Sequence, residues 1–143
     1  MPGPHDDIGY NKAAIIGRCI ARIHEEYDAD PELRNVTHVD ALTLNIERAC
    51  QAAIDLAFHV VSSDKLGLPQ TSGDAFLLLA RSKLIKESTA RSMVAMTGFR
   101  NVAIHEYQAM DMSILKAVAQ THWISLVTFC EELGFSIRKV SEN

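Results

Sequence analysis

Asp40-Ala41-Leu42-Thr43-Leu44-Asn45-Ile46-Glu47-Arg48-Ala49-Cys50-Gln51-Ala52-Ala53-Ile54-Asp55-Leu56-Ala57-Phe58-His59-Val60-Val61 is the stretch on which the fold turns. Leu42, Ile46, Ala49, Ala53, Leu56 and Val60 recur at the three-to-four-residue period of one α-helical face. Cys50, Ile54, Ala57 and Val61 widen that face, so the helix packs on more than one side, and the small Ala49, Ala52, Ala53 and Ala57 admit close neighbours. Asp40 is the expected N-cap. The remaining polar strip, Arg48, Gln51, Asp55 and His59, reads either as a solvated face or as the wall of a cleft or interface.

Working outward, Ile16, Cys19, Ile20, Ile23 and Tyr27 predict a first helix over 10–27, with Lys12, Arg22 and Glu26 off its apolar stripe and Pro31 beyond its end. After the turn at 65–73, Phe76, Leu77, Leu79, Ala80 and Leu84 mark a short helix that Asp74 can cap. Met93, Val94, Met96 and Phe99 begin another from about Thr89, with an interruption or bend expected around Gly98. Leu115, Val118, Ala119, Leu126, Val127, Cys130 and Leu133 predict a final helix over 112–133, closed by Gly134, with Asp111 a candidate N-cap. The fold expected is all-α: an antiparallel up-and-down bundle of four principal helices and a short additional one. We read residues 1–143 as a single domain, with 1–9 and 135–143 peripheral.

Composition bounds the function. At 143 residues, 48% hydrophobic and 22% charged, the chain suits one hydrophobic core, and 7 Gly and 4 Pro favour long regular elements. No apolar run reaches the ~18 residues of a membrane span, and the start Met1-Pro2-Gly3-Pro4-His5-Asp6-Asp7 lacks the basic-then-apolar plan of a signal peptide, so a cytoplasmic location without membrane contact is the default. Cys19, Cys50 and Cys130 are odd in number and set among apolar neighbours, which reads as buried thiols. A formal charge of −4 argues against indiscriminate wrapping of nucleic acid, although a cleft can concentrate cations locally. His24, His38 and His122 have no ligand spacing, and Asp55 with His59 makes two candidates where a metal cage needs more, so neither metal nor cofactor is expected.

The chemistry-bearing segment is Arg100-Asn101-Val102-Ala103-Ile104-His105-Glu106-Tyr107. An imidazole transfers protons near neutral pH and a guanidinium holds two phosphate oxygens at once, which is minimal equipment for cleaving a phosphodiester without metal. The plainer alternative is a helix end with a solvated arginine and a histidine capping a carbonyl. Positions five apart lie about 140° apart around a straight helix, so Arg100 and His105 serve one site only through a bend, a helix end or long-side-chain reach. Asn101 can orient a phosphate or serve the helix terminus, and Tyr107 can stack on a base or carry a modification.

These residues resemble the HepT branch of the HEPN ribonucleases, whose Arg-X4-His-X-Tyr motif stands here as Arg100 to Tyr107. The segments Cys50 to His59 and Leu66 to Leu79 are similar to the corresponding HepT regions, and the likeness runs from Asn11 to about Leu133. The resemblance implies a homodimer in which Arg100 and His105 of both copies face a shared cleft and cut RNA without metal. It further implies an MntA-like nucleotidyltransferase antitoxin, encoded alongside, that silences the toxin by adding AMP to Tyr107. Asp55 and His59 are then supporting residues if the second helix lines the cleft. The expected function is a toxin ribonuclease acting on cellular RNA, with transfer RNA among the candidates. The competing function is a noncatalytic helical subunit that binds and regulates a nucleotidyltransferase.

Overall fold

The computed structural model describes residues 6–105 and 112–137, with side chains for 6–98 and 112–137. In chain order it forms α1 (Asp7–Ala29), α2 (Val36–Ser63), α3 (Ser72–Arg81), α4 (Glu87–His105), α5 (Met112–Ala117) and α6 (Trp123–Glu132), and a π-helical turn at Val118–His122 joins α5 to α6. The molecule is an all-α bundle with no strand among the described residues.

Small polar side chains decide where the helices start. Asn35 Oδ1 accepts the N–H groups of Thr37 (2.9 Å) and His38 (3.3 Å), so α2 begins at Val36 and Asp40, the expected cap, lies inside the helix. Thr71, rather than Asp74, caps α3: its hydroxyl accepts the Asp74 N–H at 3.1 Å, while Asp74 turns back to accept the Gln70 N–H. Asp6 caps α1 through the Gly9 N–H at 2.9 Å, lengthening that helix beyond the 10–27 expected.

Three helices end in the same way. Lys65, Lys83 and Gly134 adopt left-handed φ values of 54°, 65° and 93°. The residue after each, Leu66, Leu84 or Phe135, donates its N–H back to Val61, Leu79 or Cys130 (2.9, 3.0 and 2.9 Å) and packs into the core. This is the Schellman closure with its hydrophobic contact. Gly134 takes the conformation without a Cβ penalty, whereas the two lysines carry it as a small strain.

α1 and α2 form the most extensive helix pair, α2 packs on α4, α4 on α6 and α6 on α1, with α3 resting against α2 and α4. The expected α2 seam is buried throughout, and Ala49, Ala53 and Ala57 are fully enclosed, letting neighbouring helices approach the backbone closely. Phe76 and Phe129 meet edge to face in the core at 5.4 Å.

Two expectations fail here. Phe135 is not peripheral: it is 1% exposed, stacks edge-on against Tyr10 at 5.0 Å, and lies where any Cβ on Gly9 would collide with its ring at 2.4 Å. It joins the start of α1, at Asp6, Gly9 and Tyr10, to the segment that follows α6. The final helix is not regular either, since the π turn at Val118–His122 admits one extra residue into its ladder. No described helix is long and apolar enough to cross a membrane.

Candidate functional site

α4 carries the chemistry-bearing residues, and its first half is firmly held. Glu132 from α6 accepts the Lys86 N–H at 2.9 Å with one carboxylate oxygen and the Thr89 hydroxyl at 3.1 Å with the other, fastening the start of α4 to the end of the last helix. Ala90, Met93 and Met96 are buried, and the enclosed Thr97 hydroxyl is satisfied by donating to Met93 O at 2.9 Å. The interruption expected at Gly98 is absent. α4 continues as regular helix to His105, and a Cβ built on Gly98 meets nothing within 4 Å.

Arg100, Asn101 and His105 therefore occupy one uninterrupted helix. Five residues at 3.6 per turn separate positions 100 and 105 by about 140° around the axis and about 7.5 Å along it. No helix end intervenes between the two positions. Tyr107 and the candidate cap Asp111 lie outside the described residues.

The supporting pair from α2 turns toward α1. Asp55 accepts from Gln51 Nε2 (2.9 Å) on one oxygen and from Lys12 Nζ (3.2 Å) on the other. His59 Nε2 sits 2.7 Å from Asp6 Oδ1, the oxygen that also receives the Gly9 N–H. Burial raises the Asp6 pKa, but the Gly9 N–H and the His59 imidazole outweigh it and hold the carboxyl below its ordinary 3.8. At the other end of the same helix pair, His38 Nδ1 meets Glu26 at 2.5 Å. These contacts make α1 and α2 antiparallel and define the polar strip as a helix–helix seam.

Arg48 lies along the same α1–α2 seam but enters no ion pair among the described residues. It lines a groove of about 380 Å³ with Arg18 and Arg22 of α1, together with Ile15, Leu44 and Asn45. Periodicity placed Arg22 off the apolar stripe but left Arg18 unassigned, because what faces it depends on the register of α1 against α2. All three cysteines are buried and none is joined in a disulfide. Burial raises the Cys19 thiol against the pull of Arg48 and Arg18, and burial with help from Glu131 pushes Cys130 up to about 12, so neither is an activated nucleophile. Among the described residues no His, Cys, Asp and Glu side chains gather in a group able to hold a metal ion.

The family of proteins described as "Ribonuclease HepT-like" matches residues 16–133, a span that contains Arg100, Asn101, His105 and Tyr107. The chain belongs to this HepT-like ribonuclease family. The mRNA nuclease HepT of Shewanella oneidensis is 41% identical over 118 residues, covering 82% of this chain and 89% of that protein. The tRNA nuclease HepT of Aphanizomenon flos-aquae is 34% identical over 61 residues, 43% of this chain and 42% of that protein. A tri-AMPylated HEPN toxin of Shewanella oneidensis, solved in complex with an MNT antitoxin, superposes with a TM-score of 0.84 at 38% identity, over 90% of this chain and 97% of the other.

Proposed function

We propose that this chain is a toxin ribonuclease that cleaves cellular RNA through Arg100 and His105 and is silenced by AMP addition to Tyr107. The observation that carries the reading is the Arg-X4-His-X-Tyr motif inside a HepT-like span whose relative, 41% identical, is a nuclease.

In the proposed reaction the RNA 2'-hydroxyl is the nucleophile, since its placement beside the phosphorus removes most of the entropic cost of attack. His105 as free imidazole takes the 2'-hydroxyl proton while the 2'-oxygen bonds to phosphorus. The P–O5' bond breaks, and an imidazolium returns a proton to the departing 5'-oxygen. The imidazolium formed in the first step can return that proton, so one His105 can serve both steps. The Arg100 guanidinium neutralises charge growing on the nonbridging oxygens. The products are a 2',3'-cyclic phosphate and a 5'-hydroxyl, with no metal taking part. AMP on Tyr107 adds a phosphate anion and a bulky nucleoside two residues from His105, and both oppose entry of an RNA phosphate.

The test is cleavage of RNA by unmodified protein in excess EDTA. Wild type should cut, leaving cyclic phosphate ends, and folded His105→Ala should lose about a hundredfold or more. With ATP and the nucleotidyltransferase encoded beside it, wild type should gain AMP mass and fall silent, whereas Tyr107→Phe should gain none and keep cutting. Cleavage that needs added divalent metal, or full activity in folded His105→Ala, rejects the mechanism.

A further inference from the structure

Three pairs of opposite polarity cross between α1 and α2: Asp6 with His59, Lys12 with Asp55, and Glu26 with His38. They set an antiparallel register in which Arg18 stands opposite Arg48, between the Lys12–Asp55 and Glu26–His38 rungs. There the pattern of complementary partners breaks, and two guanidinium groups share one groove. Cys19 lines the groove beside them, its thiol raised by burial against the opposing pull of both arginines. Arg22, a helical turn further along α1, joins the groove but is held by Glu25 at 2.7 Å and Glu26 at 3.1 Å. Among the described residues neither Arg18 nor Arg48 enters an ion pair.

Arg18 and Arg48 are both exposed, so their guanidinium groups are open to a solution anion that enters the groove. Asn45, 7% exposed, gives one amide N–H to Ala41 O at 2.8 Å, so the arginines are the charged donors of the groove. Its walls are single helical stripes, Ile15, Arg18, Cys19 and Arg22 on one side and Ala41, Leu44, Asn45 and Arg48 on the other. Arg18 and Arg22 are therefore about 6 Å apart along the axis, comparable to neighbouring phosphates on an extended strand. Leu44, 43% exposed, supplies an apolar flank for a ribose or base face.

We infer that the α1–α2 groove binds the phosphate backbone of single-stranded RNA through Arg18 and Arg48, as a contact separate from the Arg100–His105 motif. The inference rests on the ribonuclease reading for its choice of anion. Guanidinium forks suit phosphate oxygens, and a groove of this kind adds grip on the strand without taking part in bond cleavage. It also supplies local positive potential on a chain of net charge −4.

The experiment measures binding of a fluorescein-labelled single-stranded RNA to the full chain carrying His105→Ala, so that the probe stays intact, across a salt series. Arg18→Gln with Arg48→Gln should weaken binding roughly tenfold and flatten the slope of log affinity against log salt by about 1.4, two contacts at about 0.7 each. Arg81→Gln, an exposed cation on α3, should change neither. In the otherwise native chain the double substitution should raise KM and leave kcat within about twofold. A double variant that folds and melts like the parent yet binds with unchanged affinity and slope overturns the proposal. Equal binding of a glutamate homopolymer of the same charge overturns the assignment to RNA. If wild type fails to cut RNA but the parent binds it in an Arg18- and Arg48-dependent way, the groove stands and the nuclease reading falls. Absence of both cleavage and binding overturns both.

Discussion

Asp6 joins three parts of the molecule through one carboxylate: it caps α1, meets His59 of α2, and lies beside the Phe135 ring that closes over Gly9. Asp6→Ala should lower the unfolding free energy by about 1 kcal/mol at neutral pH, the usual cost of losing an N-cap. Its folded pKa is depressed, so the charge-dependent part of this stabilisation is fully present above the unfolded value near 4 and is lost as pH falls through the folded value. Asp6→Asn keeps the cap and loses the charge. Urea denaturation should therefore show a gap between wild type and Asp6→Asn at pH 7 that closes as pH falls through the folded value of Asp6. A gap constant with pH would show that the carboxylate charge contributes nothing. Asp55 and His59 were legible as one helical face from their spacing. Their partners were not, because Lys12 and Asp6 lie 43 and 53 residues away.

α4 presents the clearest contest between local and tertiary signals. Gly98 read as a break, since glycine costs about 1 kcal/mol in a helix interior relative to alanine. Buried Met96 and Thr97 just before it and the Glu132 tether at the start of α4 hold the helix up to that position. With open space at the Cβ, Gly98→Ala should raise stability by about 0.5–1 kcal/mol, read as a higher urea midpoint at unchanged slope. Destabilisation would mean that α4 bends there in solution. Helix ends show the same division. Gly134 announced its closure, but Lys65 and Lys83 gave no local sign of theirs, because a lysine enters the left-handed region only when the following leucine gains a place in the core.

At the scale of the whole molecule, an unbroken α4 bears on assembly. Positions 100 and 105 diverge around one helix, whereas two copies can bring Arg100 of one toward His105 of the other. We expect a homodimer by light scattering across the assay range. Arg100→Ala mixed with His105→Ala should recover about a quarter of wild-type activity, since half the dimers are mixed and each mixed dimer holds one intact composite site. A monomer that remains fully active, or no recovery despite demonstrated subunit exchange, would place each site within a single chain.

By itself the sequence determined the helical class, the apolar seams of α1 and α2, the burial of three cysteines and the residues that carry the family motif. Each of these is written in spacing or residue type within a helix or two, where the period of 3.6 converts position into face. Only the tertiary structure decided that Asn35 and Thr71 rather than Asp40 and Asp74 start their helices, and that Phe135 belongs to the core. It alone decided that Gly98 lies within a continuous helix and that Arg18 faces Arg48. The physical reason is common to all four. A cap, a core position, a straight helix or a charged groove is selected by what packs across from it, and the antiparallel register that brings α1 onto α2 is a property of the assembled bundle that no local window contains.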